Sequence, residues 1–162
     1  MPKAALIMGS KSDWPSLKGC VDVLKKFDIA VEVHVASAHR TPEAVAAFAD
    51  SARENGFEVI IAAAGKAAHL AGVIAGHTTL PVIGIPIKSS FMDGLDSLLS
   101  TVQMPTGIPV ATVAVGGGDN AAYLAAQMLS IKYPDLAEKL LAHRKQMAAA
   151  IEANDRQIQE EL

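Results

Sequence analysis

The sequence predicts an α/β fold: one three-layer domain in which helices cover both faces of a five-stranded parallel sheet. Short apolar, β-rich runs alternate with helix-like stretches along the chain, which is the pattern of repeated β-α units. Some of the runs are wholly apolar, as strands covered on both faces require. The chain has 162 residues, 51% of them hydrophobic, which suits one domain with a sizeable core.

Taken in order, the strands are predicted at Ala4–Met8, Ala30–Ala36, Val59–Ala63, Leu80–Ile85 and Pro109–Val115. Five strands with intervening helices suggest a flavodoxin-like sheet of order 2-1-3-4-5. Leu17, Val21 and Leu24 share one face of a first helix, and Val45, Phe48 and Ala52 share one face of a second. Ala121–Ile131 reads as a mostly buried helix. Thr41-Pro42-Glu43 supplies a cap, a first-turn proline and an acid near the positive helix end. Asp13 before Trp14-Pro15, and Asp119 before Asn120, read as caps in the same way. Pro86–Pro105 is rich in Ser, Met and Gly, and suits either a cover over a ligand or a subunit contact. The last stretch, 135–162, reads as a long helix that turns charged and polar past Ala150. It has too little apolar surface to pack on its own domain, so it is expected to project or to lie on a neighbouring subunit. The whole of 1–162 then forms a single catalytic domain.

The net charge of −3 gives no general attraction to nucleic acid or to an anionic membrane. No apolar run approaches the ~18 residues of a membrane span. The run from Met1 to Met8 meets Gly9 at once, so no signal peptide is expected. One cysteine, Cys20, excludes an internal disulfide and fits a reducing compartment. A cytoplasmic protein is expected.

Ligands of open parallel sheets bind beyond the carboxyl ends of the strands, at the switch point. Here that crevice lies around strands 1 and 3, with strand 2 alongside. The loop after strand 1, Gly9-Ser10-Lys11-Ser12-Asp13, offers backbone N–H groups and hydroxyls for a phosphate, although it is not a Walker loop. Asp13 suits either ribose hydroxyls or a helix cap. The loop after strand 2 places Ser37, His39 and Arg40 within four residues. Arg40 offers a fork for phosphate, and His39 can exchange a proton near neutral pH. The loop after strand 3 brings Gly65, Lys66, Ala67, His69 and Leu70. Its small residues allow a ligand close to the backbone. His69 is either a second proton-transfer group or only a backbone contact. His34 is expected to be structural, His77 to end a helix and His143 to be solvated. The segment from Gly116 to Asp119 is expected to be a turn with a cap. No two histidines stand at a metal-ligand spacing, so no metal is expected.

Several motifs, in order along the chain, resemble those of the N5-carboxyaminoimidazole ribonucleotide mutases of purine biosynthesis. They are the segments Met8–Trp14, Ser37–Pro42 and Gly65–Leu70, followed by Asp96–Ser100, Val102–Pro105 and Gly107–Val110. In the third, Lys66 stands where the family usually has a second glycine. The resemblance implies a class I mutase, an isomerase that moves a carboxylate from the exocyclic nitrogen of aminoimidazole ribonucleotide to ring carbon C4. It implies a homo-octamer, a small ribonucleotide substrate and no cofactor. It implies that His39 is the general acid/base and that Ser10, Ser37 and Arg40 hold the phosphate. Asp13 would hold the ribose, and Gly65–Leu70 would enclose the base and carboxylate. Three rivals remain: a direct carboxylase of aminoimidazole ribonucleotide, a carboxylase of a pyridine nucleotide precursor, and a non-catalytic nucleotide-binding module. In the direct carboxylases the residue after the loop histidine is typically lysine, so Arg40 and His69 favour the mutases.

Overall fold

A computed structural model describes residues 1–162. The strands are β1 (Lys3–Met8), β2 (Ala30–Val35), β3 (Val59–Gly65), β4 (Val82–Ile87) and β5 (Ala111–Thr112). The helices are α1 (Trp14–Lys26), α2 (Pro42–Ser51), α3 (Leu70–His77), α4 (Leu95–Val102), α5 (Gly118–Ser130) and α6 (Pro134–Glu160). All strand pairs are parallel, and the order is β2-β1-β3-β4-β5, as expected.

The period-2 geometry of a strand divides the core in two. Ala4, Leu6 and Met8 of β1, with Val59, Ile61 and Ala63 of β3, face α1 and α5. Ala5 and Ile7, with Ile60 and Ala62, face α2 and α3 on the other side. Both faces are apolar because both are covered. β2 forms one edge and is half open: Val33 and Val35 are 37% and 58% exposed. His34 is accordingly not a core residue; it lies against Phe48 and within 3.6 Å of Glu32.

β4 begins and ends two residues later than the sequence suggests. A proline is unexpected in an interior strand because it removes an N–H donor. Here Pro86 comes after pairing with β5 has stopped at Gly84↔Thr112, so that ladder loses little. β5 is only two residues long, against a prediction of seven.

The segment Pro86–Pro105 contains α4, which packs on β4. Its buried residues are Ser97 and Thr101. Their hydroxyls donate to the Ile87 carbonyl at 2.7 Å and the Ser97 carbonyl at 2.7 Å, so burial leaves neither unsatisfied. The turn before α4 runs through Met92, Asp93 and Gly94 at φ 44°, 56° and 105°, all left-handed.

Capping differs in detail from expectation. Thr41 precedes α2, but its hydroxyl bonds Ser37 rather than the helix end. Asp13 makes no capping bond to α1. α5 starts two residues early, so Asp119 lies inside its first turn and Gly117 is the cap. The turn at Gly116 is real, with φ 71°. His77 ends α3 and meets Asp50 at 3.0 Å. His143 is not solvated as expected: its ring stacks on Tyr123 at 4.9 Å, and its Nδ1 is buried without a partner.

α6 packs on α5 near its start, where Leu136 is buried. Farther along, Leu141, Met147, Ile151 and Ile158 are more than half exposed. A groove of about 760 Å³ runs between α5 and α6, lined in part by Tyr123, Leu140, His143 and Met147. No helix is long and apolar enough to cross a membrane.

Candidate active site

The carboxyl ends of β1, β2, β3 and β4 open into one cleft of about 640 Å³. All ten residues singled out in the sequence line it: Ser10, Asp13, Ser37, His39, Arg40, Gly65, Lys66, Ala67, His69 and Leu70. It also takes in Lys88 and Ser89, just beyond β4, which the sequence reading missed. Their signal was topological: β4 neighbours β3, so its end lies on the same edge of the sheet.

The loop after β1 begins at Gly9, whose N–H still reaches the Ala63 carbonyl of β3 at 3.0 Å. Ser10 caps a short 3-10 turn at Lys11–Asp13; its Oγ accepts from the Ser12 N–H at 3.3 Å and lies 2.8 Å from the Ser12 hydroxyl. Asp13 closes that turn, half-buried. Burial pushes its carboxyl above the usual carboxylate range, against the opposing pull of the Ser10 backbone and Ser12 hydroxyl. Asp13 makes no capping bond to α1, and it lines the cleft.

The loop after β2 is tied down by its own hydroxyls. Thr41 Oγ1 accepts from the Ser37 N–H at 2.9 Å and donates to the Ser37 carbonyl at 3.1 Å. Ser37 Oγ accepts from the Arg40 N–H at 3.2 Å and from Arg40 Nε at 3.4 Å. Arg40 Nη2 crosses to the loop after β1 and donates to the Gly9 carbonyl at 3.0 Å. One guanidinium therefore joins the two loops and fixes a positive charge beside Ser10 and Ser37. That arrangement suits a phosphate.

The loop after β3 completes the site. A Cβ added at Gly65 would come no closer than 3.6 Å to Ile87, so packing within the protein does not demand glycine there. Lys66 holds φ 57°, and Ser100 of α4 donates to its carbonyl at 3.2 Å. The Ala67 carbonyl accepts from the His69 N–H at 2.9 Å. Leu70 is buried and opens α3.

His39 and His69, thirty residues apart in sequence, meet in space. His39 Nε2 lies 2.8 Å from His69 Nδ1, with the rings perpendicular at 88°. One nitrogen of this pair must donate and the other accept. The facing nitrogens hold a single proton, because two would set N–H against N–H. Both rings are exposed to the cleft, so their remaining nitrogens are available to a ligand. The His69 side chain is thus a direct neighbour of His39 in the cleft. No three His, Cys, Asp or Glu side chains converge as a metal site would require.

Comparison with known proteins places this cleft in a family. A family model described as AIR carboxylase matches residues 3–150. The chain belongs to the AIR carboxylase family. Within it, the chain is 59% identical over 140 residues to the N5-carboxyaminoimidazole ribonucleotide mutase of Saccharolobus solfataricus, covering 86% of this chain and 89% of that protein. It is 51% identical over 158 residues to the protein of the same name from Mycobacterium tuberculosis, covering 98% and 91% of the two chains. The crystal structure of Treponema denticola PurE superposes with a TM-score of 0.86 at 28% identity, over 97% of this chain and 98% of that one. The three-layer fold expected from the sequence is thus shared with a solved structure.

Proposed function

We propose that this chain is an isomerase of purine biosynthesis that converts N5-carboxyaminoimidazole ribonucleotide to 4-carboxy-5-aminoimidazole ribonucleotide. Curated relatives named for that mutase support this reading over direct carboxylation. The observation that carries the mechanism is the His39–His69 pair in a cleft whose other end is built for phosphate. Arg40, Ser10 and Ser37 hold the phosphate, Asp13 holds the ribose, and Gly65, Ala67 and Leu70 enclose the base. Binding energy from the phosphate orients a ring that reacts some distance away.

The chemistry balances on one proton. As the carbamate C–N bond breaks, His39 gives a proton to the exocyclic nitrogen and carbon dioxide is released within the cleft, beside the ring. The ring carbon C4 attacks that carbon dioxide, and the C4 proton returns to His39, restoring the aromatic ring. His69 fixes the orientation of the His39 ring through their shared hydrogen bond. A pocket walled by small residues retains carbon dioxide and excludes water.

The working assembly is a homo-octamer in the cytoplasm. The exposed apolar residues Met147, Ile151 and Ile158 recur at helical spacing along α6 and suit burial against a neighbouring subunit. The test of the activity is turnover of the two ribonucleotides by purified protein. The carbamate should be converted without added bicarbonate, and aminoimidazole ribonucleotide plus bicarbonate should not. The reverse preference would make the chain a direct carboxylase.

A further inference from the structure

Lys66 is held in a conformation that favours glycine. At φ 57° its Cβ crowds the backbone, a strain that persists only where the surroundings impose it and that clusters at functional sites. The surroundings here are Ser100, which fixes the Lys66 carbonyl, and the turn that carries His69 three residues on. The side chain stands exposed at the lip of the cleft and has no acidic partner. Lys88, on the same lip, is engaged by Asp93 at 3.0 Å.

The charges of the cleft also leave one cation unengaged. Arg40, Lys66 and Lys88 face it with the carboxylate of Asp13. Lys88 is held by Asp93, and Arg40 by Ser37 and Gly9 at the phosphate end, so Lys66 is the cation left to meet an anionic ligand. A ribonucleotide that also carries a carboxylate presents a second anionic end. That end must lie near the histidines if they handle the proton exchanged for it, and Lys66 shares a loop with His69.

We infer that Lys66 is a specificity-determining residue whose ammonium binds the migrating carboxylate both on nitrogen and on carbon. The inference rests on the proposed reaction. A compact charge on a flexible stem can follow a carboxylate between neighbouring atoms, which a rigid arginine fork cannot. Binding substrate and product alike, it lowers KM in both directions and leaves kcat little changed.

The test uses Lys66→Met and Lys66→Gly in the full chain, with wild type as control. Both variants should raise KM for the carbamate and for the carboxylated product about tenfold, the usual scale for a lost charged contact. Affinity for aminoimidazole ribonucleotide, which lacks the carboxylate, should not change. Lys66→Gly alone should also melt higher than wild type, because glycine adopts this φ freely. Unchanged KM in Lys66→Met, or an equal loss for the decarboxylated ribonucleotide, overturns the inference while the proposed reaction stands. Absence of turnover in wild type overturns both.

Discussion

At the scale of single residues, the proposed chemistry rests on two histidines 2.8 Å apart. If His39 moves the proton in both directions, His39→Asn should fold normally and keep much of its affinity, since asparagine still forms hydrogen bonds. Its turnover should fall by 10²–10⁴-fold or more, the usual loss for a general acid/base. Wild-type turnover in that variant would move the role to His69. Asp13 gives a prediction of another kind. Burial raises its carboxyl, so the folded chain holds that proton more tightly than the unfolded chain does. The stability of the wild type therefore falls as pH rises from ~4 through the folded value, and the full cost is present at neutral pH. Asp13→Asn escapes that cost. It should melt above wild type at pH 7, the gap should close toward pH 4, and ribonucleotide affinity should drop. A neutral-pH melting point equal to or below wild type would contradict this account. Cys20 shows the same physics without function: burial, with Asp119 nearby, pushes its thiol up to about 12, so it stays an unreactive core side chain. All ten candidate site residues could be picked out in the sequence because each lies at or shortly beyond the carboxyl end of a recognisable strand. The pairing of His39 with His69 was not, because it joins positions thirty residues apart and depends on strand order.

At the scale of elements, apolar runs made β1 and β3 plain, since both faces of each are covered. α4 escaped notice because its buried residues are Ser97 and Thr101, and hydroxyls satisfied by backbone carbonyls do not look like core from sequence. Pro86 hid the end of β4, and with it Lys88 and Ser89. The contact between α4 and β4 is close enough to test. A Cβ at Gly84 would overlap Thr101 Cγ2 and lie 3.0 Å from Val110 Cγ1 and 3.3 Å from Ala71 Cβ. Gly84→Ala should therefore cost about 1–3 kcal/mol of stability by overpacking, read by denaturant unfolding. Because α4 also holds Lys66 through Ser100, the variant should raise KM as well. Unaltered stability would mean that α4 is free to move away from the sheet.

At the scale of the whole molecule, the site faces one edge of the sheet while α6 carries exposed apolar residues. The long C-terminal helix was legible as charged and short of partners, but where a second copy sits cannot be read from one chain's pattern. Light scattering should give a mass several times that of the 16.9 kDa chain, near eightfold for the octamer. Deleting the residues after Ala150 removes Ile151 and Ile158 and should shift the assembly toward smaller species; a wild-type monomer would contradict the proposed assembly. The reaction itself is the central claim, and the origin of the transferred carbon tests it most directly. Protein supplied with carbamate labelled at the carboxylate carbon, in unlabelled bicarbonate, should yield 4-carboxy-5-aminoimidazole ribonucleotide that keeps the label, because the carbon dioxide never leaves the cleft. Product carrying only the label content of the surrounding bicarbonate would contradict an intramolecular transfer.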